Sequence, residues 1–345
     1  MAEPTIAEPR FLIIRLGSMG DILHALPAVH ALRTAFPAAK MDWVVESRWA
    51  ALLAGNPDVS EVIPLERTSW AGLRSCIGRL RAGRYSTAID FQGLYKSAVL
   101  GWLSGAKERV GLDAASAREG GAARFYTRRV APQGAHVVEH NLTLAHVAGA
   151  PSTLLAAAEF PLAIAPEADA AIAKQLAARD VREFFVLSPG GGWASKCWPA
   201  ERYGHLHRRL LERPEFAGWR GVVNFGPGER KLAEAVRLVA GTPEPILLPM
   251  DLPQLMALTR RARFFVGADT GPLHLAVALG VPAIGLYGPT DPARNGPARA
   301  EDVVVRNARP EDTTYKREDV HHPSMLSIAV EQVLAAIDQR LRRAA

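Results

Sequence analysis

Short apolar runs alternate along the chain with longer segments in which apolar residues recur every three or four positions. The short runs have the composition of β-strands, and they lie at 11–14, 43–45, 59–65, 87–89, 184–187, 221–225, 245–248, 264–266 and 283–287. The segments between them, for example 22–36 and 230–240, have the spacing of helices that bury one face. Alternation of strands and helices predicts an α/β fold, in which helices cover both faces of parallel sheets.

The domain organisation follows from length and from one change in composition. The chain has 345 residues, which suggests about two domains at roughly 150 residues each. The segment 149–166 is rich in Pro and Ala and predicts a linker, so we assign the domains to 1–160 and 161–325. A C-terminal helix at 326–345 has an apolar stripe that must pack on something, and the N-terminal domain across the linker is one candidate. Ligands of two such domains bind where the carboxyl ends of the strands face a common cleft.

Composition and charge narrow the class of protein. Apolar residues make up 48% and charged residues 22% of the chain, which is typical of a globular protein. The net charge of +6 suits an anionic ligand such as a nucleotide, a phosphosugar, an acidic membrane surface or nucleic acid, and does not choose among them. Two cysteines, Cys76 and Cys197, do not make a disulfide framework, which favours a cytoplasmic location. The first ten residues do not resemble a signal peptide, and no run reaches the roughly 18 apolar residues of a membrane span.

The loop at 15–24 joins the first strand to the first helix. Its glycines, Gly17 and Gly20, fit neither the dinucleotide-binding pattern nor the P-loop, which disfavours a dehydrogenase and a kinase. Asp21 stands where the helix begins, so it is either an N-cap or a catalytic carboxylate that faces the cleft. Pro27, further along, predicts a kink or a local break in the helix.

Two loops in the second half have the composition of phosphate-binding sites. Three glycines at 190–192 come before Lys196, and exposed backbone N–H groups beside a cation bind phosphate; the alternative is a flexible loop with a solvated Lys. At 265–274 a strand ends in a tight turn, where the N–H groups of Thr270 and Gly271 and the Thr270 hydroxyl would form an anion site at a helix N-terminus. The alternative here is an ordinary capped turn.

Other patterns bear on metals, membranes and nucleic acid. The chain has no Asp-x-Asp pair, and His136 and His140 do not complete a zinc motif, so we expect no metal and no cofactor. The segment 67–84 has an apolar stripe of helical spacing, formed by Trp70, Leu73, Ile77 and Leu80. Its arginines lie off that stripe and form either a solvated face or a basic surface for an acidic lipid. They are not interleaved with stacking aromatic residues, so we expect no nucleic-acid partner.

Several motifs together resemble a known family. They are Ser18 to His24, Asp42 to Glu46, Asp90 to Ala98, Ala117 to Glu119, Lys196 with Trp198 and Pro199, Asp269 to Gly271 with His274 and Leu275, and Tyr287 to Pro292. In this order and spacing they resemble glycosyltransferase family 9, the ADP-heptose:lipopolysaccharide heptosyltransferases, and most closely the type I enzymes. The resemblance covers nearly the whole chain.

The resemblance implies a GT-B fold, with two Rossmann-like doubly wound domains that face each other across a cleft. It implies inverting, metal-independent transfer of L-glycero-D-manno-heptose from ADP-heptose to the Kdo sugar of a lipid A precursor, in the cytoplasm at the inner face of the cytoplasmic membrane. Two alternatives stay open. They are a family member with another acceptor, either a later core heptose or a protein, and a non-catalytic protein that binds a nucleotide sugar.

The family pattern also implies roles for residues of this chain. Asp21 would be the general base, and Lys196 would stabilise the departing ADP. The donor-binding residues would be Gly191, Gly192, Lys196, Glu229, Met250, Asp269, Thr270, Gly271 and His274. The acceptor-binding residues would be Ser18, Gly20, Lys96, Arg118 and His136.

The chain departs from the family pattern at three places. Gly191 and Gly192 replace hydroxyl residues of the type I enzymes, so phosphate contacts there must come from the backbone. Pro272 replaces a residue with a free N–H. The segment 66–74 is less basic than in the type I enzymes, and it belongs to the acceptor side.

Overall fold

The computed structural model describes residues 8–66 and 68–343. The chain divides into two compact units between Ala163 and Ile164, a point that lies inside the predicted linker. Each unit contains one six-stranded sheet in which every strand pairing is parallel. The predicted α/β fold is therefore confirmed.

The first sheet has the strand order β3-β2-β1-β4-β5-β6. Its strands are β1 (Arg10–Ile14), β2 (Lys40–Glu46), β3 (Glu61–Leu65), β4 (Thr87–Asp90), β5 (Glu108–Leu112) and β6 (Arg128–Val130). Its helices are α1 (Met19–Ala35), α2 (Trp70–Ala82), α3 (Tyr95–Leu103) and α4 (Val137–Val147). The apolar run of β1 is completely buried at the centre of the sheet, as expected for a strand covered on both faces.

The second sheet has the order β9-β8-β7-β10-β11-β12. Its strands are β7 (Phe184–Ser188), β8 (Arg220–Phe225), β9 (Ile246–Pro249), β10 (Phe265–Ala268), β11 (Ala283–Tyr287) and β12 (Val303–Arg306). Its helices are α5 (Pro166–Ala177), α6 (Ala200–Leu211), α7 (Arg230–Val239), α8 (Leu252–Arg261), α9 (Gly271–Ala278), α10 (Pro292–Asn295), α11 (Pro323–Leu326) and α12 (Val330–Arg342). Two apolar clusters cover its faces, one with α6, α7 and α12 and the other with α5, α8 and α9.

The strand order places the candidate loops in each unit. In each sheet the first strand lies at the centre, and later strands are added first on one side of it and then on the other. The direction of strand order therefore changes between β1 and β4 in the first sheet and between β7 and β10 in the second. Ligands of such sheets bind at the carboxyl ends of the strands beside this reversal. The loops that leave β1, β4, β7 and β10 contain most of the residues that the sequence analysis singles out.

Three strands were not predicted from the sequence. The strand β5 begins with Glu108 and Arg109, β6 has only three residues, and β12 is a short edge strand. These strands lack the long apolar run by which buried strands are found. Of the two outcomes predicted at Pro27, the local break was wrong, because α1 continues through Pro27 to Ala35, and the kink stays a prediction.

The predicted stripe on α2 was wrong at one position. Trp70 is 83% exposed, whereas Cys76 and Leu80 are buried. The first residue of the helix therefore extends beyond the sheet, and Leu73, Cys76 and Leu80 form the contact with the core. Arg67, the first residue of the predicted basic segment, lies outside the described residues.

The C-terminal helix is interrupted and packs on the second unit. It consists of the short α11 and, three residues later, α12. Val333, Leu334 and Ile337 of α12 belong to the apolar cluster that includes α6 and strands β11 and β12. The apolar stripe therefore packs on the second unit. The N-terminal domain, which was one candidate for this packing, is not the surface that it covers. Over the described residues, no helix is long and apolar enough to cross a membrane.

Candidate active site

In the first unit, Asp21 lies in the first turn of α1, directly after the loop that leaves β1. Ser18 is the N-cap of this helix. One oxygen of the Asp21 carboxylate accepts hydrogen bonds from the Ser18 N–H and from the Ser18 hydroxyl, both at 2.9 Å. Asp21 is therefore the third helical residue and not the N-cap, and it closes back on the cap as in a capping box. Gly20, beside it, is buried in the same turn.

The other carboxylate oxygen of Asp21 is held by Arg15. The distance from the Arg15 Nη2 to the Asp21 Oδ1 is 2.6 Å, and a second nitrogen of Arg15 donates to the carbonyl of Phe91. Burial would raise the pKa of Asp21, but the Arg15 charge, the Ser18 hydrogen bonds and His24 together lower it to about 2. Asp21 is thus ionised at neutral pH, and a third of its side chain stays exposed.

The loop after β4 holds the loop after β1 in place. Asp90 is buried, and its Oδ1 accepts hydrogen bonds from the N–H groups of Gln92 and Gly93. Its Oδ2 accepts from the Tyr126 hydroxyl at 2.7 Å. The Gln92 side-chain oxygen in turn accepts from the N–H of Leu16 at 2.8 Å. This chain of buried hydrogen bonds fixes the backbone just ahead of Asp21.

Two cations of the first unit, which is the predicted acceptor side, contact one buried carboxylate. Glu46 lies at the end of β2 and is mostly buried. Its Oε1 lies 3.5 Å from the Lys96 Nζ, and its Oε2 lies 2.9 Å from an Arg48 nitrogen. Both cationic side chains are well exposed, as is Arg118 in the loop after β5. The first unit therefore presents several positive charges near the carboxyl ends of its strands.

His136, a predicted acceptor-binding residue, is a buried helix cap in the structure. It is the N-cap of α4 and is buried, and its ring nitrogen accepts a hydrogen bond from the N–H of Val138. Its ring meets the ring of His24 edge-on at a centroid distance of 5.8 Å. The structure thus shows His136 in a capping role, and its part in acceptor binding stays a prediction.

In the second unit, glycines let the loop after β7 contact neighbouring loops. A Cβ on Gly191 would lie 2.7 Å from the methyl carbon of Thr270, and a Cβ on Gly190 would overlap the Glu229 carboxylate. A side chain at either position would therefore push these loops apart. Gly192 has open space around it.

Asp269 is the centre of the predicted donor group. The Lys196 Nζ lies 2.6 Å from its Oδ2, and its Oδ1 lies 3.1 Å from the His274 Nε2 and 2.6 Å from the Asn295 side-chain nitrogen. Burial would raise the pKa of Asp269, but the hydrogen bond with His274 and the Lys196 charge lower it far below its usual range. The carboxylate is therefore ionised and fixes the position of Lys196, which stays 15% exposed.

The turn between β10 and α9 differs in one detail from the prediction. The N–H of Thr270 is not free, because it donates to the carbonyl of Ala268 at 2.6 Å. Gly271 is the first residue of α9, and Pro272 is the second. The Thr270 hydroxyl also donates to the Ala268 carbonyl, at 3.3 Å. An anion at this helix start would therefore contact the N–H of Gly271, with the helix dipole in support.

Two more of the predicted donor-binding residues, Glu229 and Met250, lie on neighbouring loops. Glu229 is the N-cap of α7, and its carboxylate accepts a hydrogen bond from the N–H of Gly226 at 2.7 Å. Met250 directly follows β9 and packs, partly buried, on the apolar cluster beneath α5 and α8. Within the described residues, no group of three or more His, Cys, Asp or Glu side chains has the arrangement of a metal site.

Comparison with known proteins decides the family. A family model described as glycosyltransferase family 9 (heptosyltransferase) matches residues 73–324. The chain belongs to glycosyltransferase family 9. A lipopolysaccharide heptosyltransferase 1 from Pseudomonas aeruginosa is 33% identical to this family 9 chain, over 91% of this chain and 88% of the relative. A lipopolysaccharide heptosyltransferase 1 from Escherichia coli K12 is also 33% identical, over 87% of this chain and 94% of the relative.

Solved structures confirm the GT-B fold for this family 9 glycosyltransferase. E. coli heptosyltransferase WaaC with ADP matches with a TM-score of 0.74 at 29% identity, over 97% of this chain and 99% of that chain. A family 9 glycosyltransferase from Veillonella parvula matches with a TM-score of 0.82, over 97% of both chains. At 21% identity the second match bears on the fold alone.

Three residues of the site were missed by the sequence analysis. Arg15 comes directly after β1, which is a signal that could have been used, since buried cations at strand ends need an anionic partner. Glu46 was quoted only as part of a motif. Asn295 lies 26 residues beyond the Asp269 carboxylate that it contacts, and nothing in its local sequence indicates that contact.

Proposed function

We propose that this family 9 enzyme transfers L-glycero-D-manno-heptose from ADP-heptose to the Kdo sugar of a lipid A precursor, with inversion at the anomeric carbon. The observation that supports it best is the Asp21 carboxylate, which is ionised, partly exposed and fixed by Arg15 and Ser18. A general base must be held in place within reach of the proton that it accepts. The names of the two 33% identical relatives support the choice of reaction.

The proposed reaction is a single displacement. The acceptor hydroxyl oxygen attacks the anomeric carbon of the heptose, while the bond from that carbon to the β-phosphate oxygen breaks and its electrons leave with ADP. The hydroxyl proton passes to Asp21. With a pKa of about 2, Asp21 is a weak base, so it accepts the proton late, when the new C–O bond has made the hydroxyl acidic.

The donor is proposed to bind on the second unit. WaaC has been solved with ADP and with ADP-2-deoxy-2-fluoro heptose, and Lys196, Asp269, Thr270 and Gly271 of this chain form one cluster of loops. Lys196 and the start of α9 would stabilise the negative charge that develops on the departing diphosphate. Glu229 would accept hydrogen bonds from the ribose, and Met250 would pack on the adenine.

The acceptor is proposed to bind on the first unit. Kdo carries a carboxylate and lipid A carries phosphates, and the cations Lys96, Arg118 and Arg48 offer charges of the opposite sign. Ser18 and Gly20 would flank the reacting hydroxyl beside Asp21. Because this acceptor is a lipid, the enzyme would work in the cytoplasm at the inner face of the cytoplasmic membrane.

The experiment that tests the proposal is ADP release from ADP-heptose in the presence of three separate acceptors. These are Kdo-lipid A, the same lipid already heptosylated, and an acceptor protein mixture. We expect turnover with Kdo-lipid A alone. Mass spectrometry should show one added heptose, and NMR of the product should show the inverted anomeric configuration. Turnover only with the heptosylated lipid or with protein would contradict the proposal that Kdo-lipid A is the acceptor. ADP-heptose binding without turnover on any acceptor would contradict the enzymatic role.

A further inference from the structure

The indole ring of Trp193 is contacted by two cations of the second unit. The Lys196 Nζ lies 4.3 Å from the centre of the ring, and the Arg317 guanidinium carbon lies 5.1 Å from the same centre. Both distances are within the range of a cation–π contact. Since they are measured to one ring, the two charges lie within about 10 Å of each other.

The segment that carries Arg317 is attached to the Lys196 loop by two contacts just after Arg317. The N–H of Ser195 donates to the carbonyl of Glu318 at 3.2 Å. The Nδ1 of His321 lies 2.8 Å from the carbonyl oxygen of Cys197. These contacts join residues more than 120 positions apart in the sequence. They hold Arg317 beside the glycine-rich loop, so its place there does not depend on the Trp193 contact alone.

The two cations differ in their electrostatic surroundings. The Lys196 charge is matched by the buried Asp269 carboxylate at 2.6 Å. No carboxylate among residues 8–66 and 68–343 forms an ion pair with Arg317, which is exposed. A diphosphate near this loop therefore meets one cation whose charge is already paired and one whose charge is not.

The glycine-rich loop at 190–192 and the turn at Thr270 offer few other hydrogen bonds to a diphosphate. Gly191 and Gly192 offer no side-chain hydrogen bonds, and the N–H of Thr270 is used within its own turn. When the bond from the anomeric carbon to the β-phosphate oxygen breaks, its electrons add one negative charge to the departing ADP. A guanidinium can donate two parallel hydrogen bonds to phosphate oxygens.

We propose that Arg317, held against Trp193, is a second cation for the diphosphate of the donor and acts beside Lys196. This inference rests on the proposed function, because it takes the ligand of this loop to be a nucleotide diphosphate. Trp193 is a positioning residue, since its ring contacts both cations. Arg317 would contact both the bound donor and the departing ADP, so its loss should affect donor binding and turnover.

The test is calorimetric titration of the full chain with ADP and with adenosine, for the wild type, Arg317→Ala and Arg317→Lys. A hydrogen bond to a charged group typically changes affinity by about tenfold to a hundredfold. We expect a loss of this size for ADP with Arg317→Ala, a smaller loss with Arg317→Lys, and unchanged affinity for adenosine. Arg182→Ala is the matched control, because Arg182 is an exposed arginine of the same unit that pairs with exposed Asp180.

The outcomes separate this inference from the proposed function. If the wild type binds ADP and Arg317→Ala binds it equally well with the same kcat, the role of Arg317 is refuted while the proposed function stands. Equal losses for ADP and adenosine would also overturn it, because they indicate a structural effect on the whole site. If the wild type binds no ADP, the proposed donor is wrong, and the inference fails with it.

Discussion

The pairing of Arg15 with Asp21 leads to a prediction about pH. Replacing Arg15 by Met removes the charge that does most to lower the pKa of Asp21, while the burial that raises this pKa remains. An opposite charge in direct contact typically lowers the pKa of a carboxyl group by about 1 to 3 pH units. The pKa of Asp21 should therefore rise from about 2 to between about 3 and 5 in the variant.

The sign of the effect on activity follows from which form of Asp21 is the base. Only the ionised carboxylate accepts a proton, so kcat/KM falls once the pH drops below the pKa of Asp21 in the free enzyme. In the wild type that fall lies near pH 2, below the working range. In Arg15→Met it should lie between about pH 3 and 5, and kcat/KM would lose up to tenfold for each pH unit below the pKa.

The assay is ADP release measured from pH 4 to 9 with wild type, Arg15→Met and Arg15→Lys, with circular dichroism at each pH to confirm folding. Arg15→Lys keeps the charge, so it should keep the wild-type profile at low pH even if its kcat is reduced. Arg128→Met is a matched control, because Arg128 is a cation of the same unit that pairs with Glu108 and has no assigned part in the site.

A second measurement covers the case in which Arg15→Met is too slow to assay. Titration of ¹³C-labelled aspartate carboxyls by NMR reports the pKa of Asp21 directly, with Asp21→Asn used for assignment. If the pKa of Asp21 in Arg15→Met stays near 2, Arg15 does not hold Asp21 in its ionised form. The proposed positioning would then be refuted.

Three further predictions concern catalysis and stability. Asp21→Asn should lower kcat by about 10²- to 10⁴-fold and leave ADP affinity unchanged in calorimetry; near-wild-type turnover would exclude Asp21 as the base. Lys196→Ala should raise the Kd for ADP and lower kcat together, because the departing diphosphate loses a cation, and unchanged kinetics would contradict that role. Tyr126→Phe leaves one oxygen of buried Asp90 without its donor, so urea denaturation at pH 7 should show a loss of about 1–3 kcal/mol. That loss should shrink as the pH falls and Asp90 takes up a proton; a loss independent of pH would argue against an ionised Asp90.

The parts of the fold that could be predicted are those with a strong local signal. Fully buried central strands such as β1 and β7 are continuous apolar runs, and each is followed by a loop of Gly and polar residues. Parallel sheets with this connectivity place such loops at one edge, so the positions of Asp21 and Lys196 followed from the pattern. The edge strand β6 and the strand β5 have no such signal, because edge and polar strands do not need two apolar faces.

The site could be predicted only as far as single loops. Whether Asp21 is an N-cap or a free carboxylate depends on Ser18, three residues before it, and the local sequence allowed either. The structure shows that Ser18 takes the cap, which leaves the carboxylate of Asp21 to pair with Arg15. The Thr270 N–H was predicted to be free because the sequence does not show the tight turn in which it donates to Ala268.

Contacts between distant segments are the part that the sequence could not supply, and they set the charge of the site. Lys196 was predicted as a point charge for phosphate, and the structure shows that it lies against a buried carboxylate 73 residues away. In that state its net contribution is smaller than its formal charge implies, because Asp269 offsets it in the free enzyme. Arg317, the second cation that we propose, lies against Trp193 and comes from a segment that has no motif of its own. The charge around Lys196 is therefore set by tertiary contacts, and the overall charge of +6 does not indicate where positive charge acts.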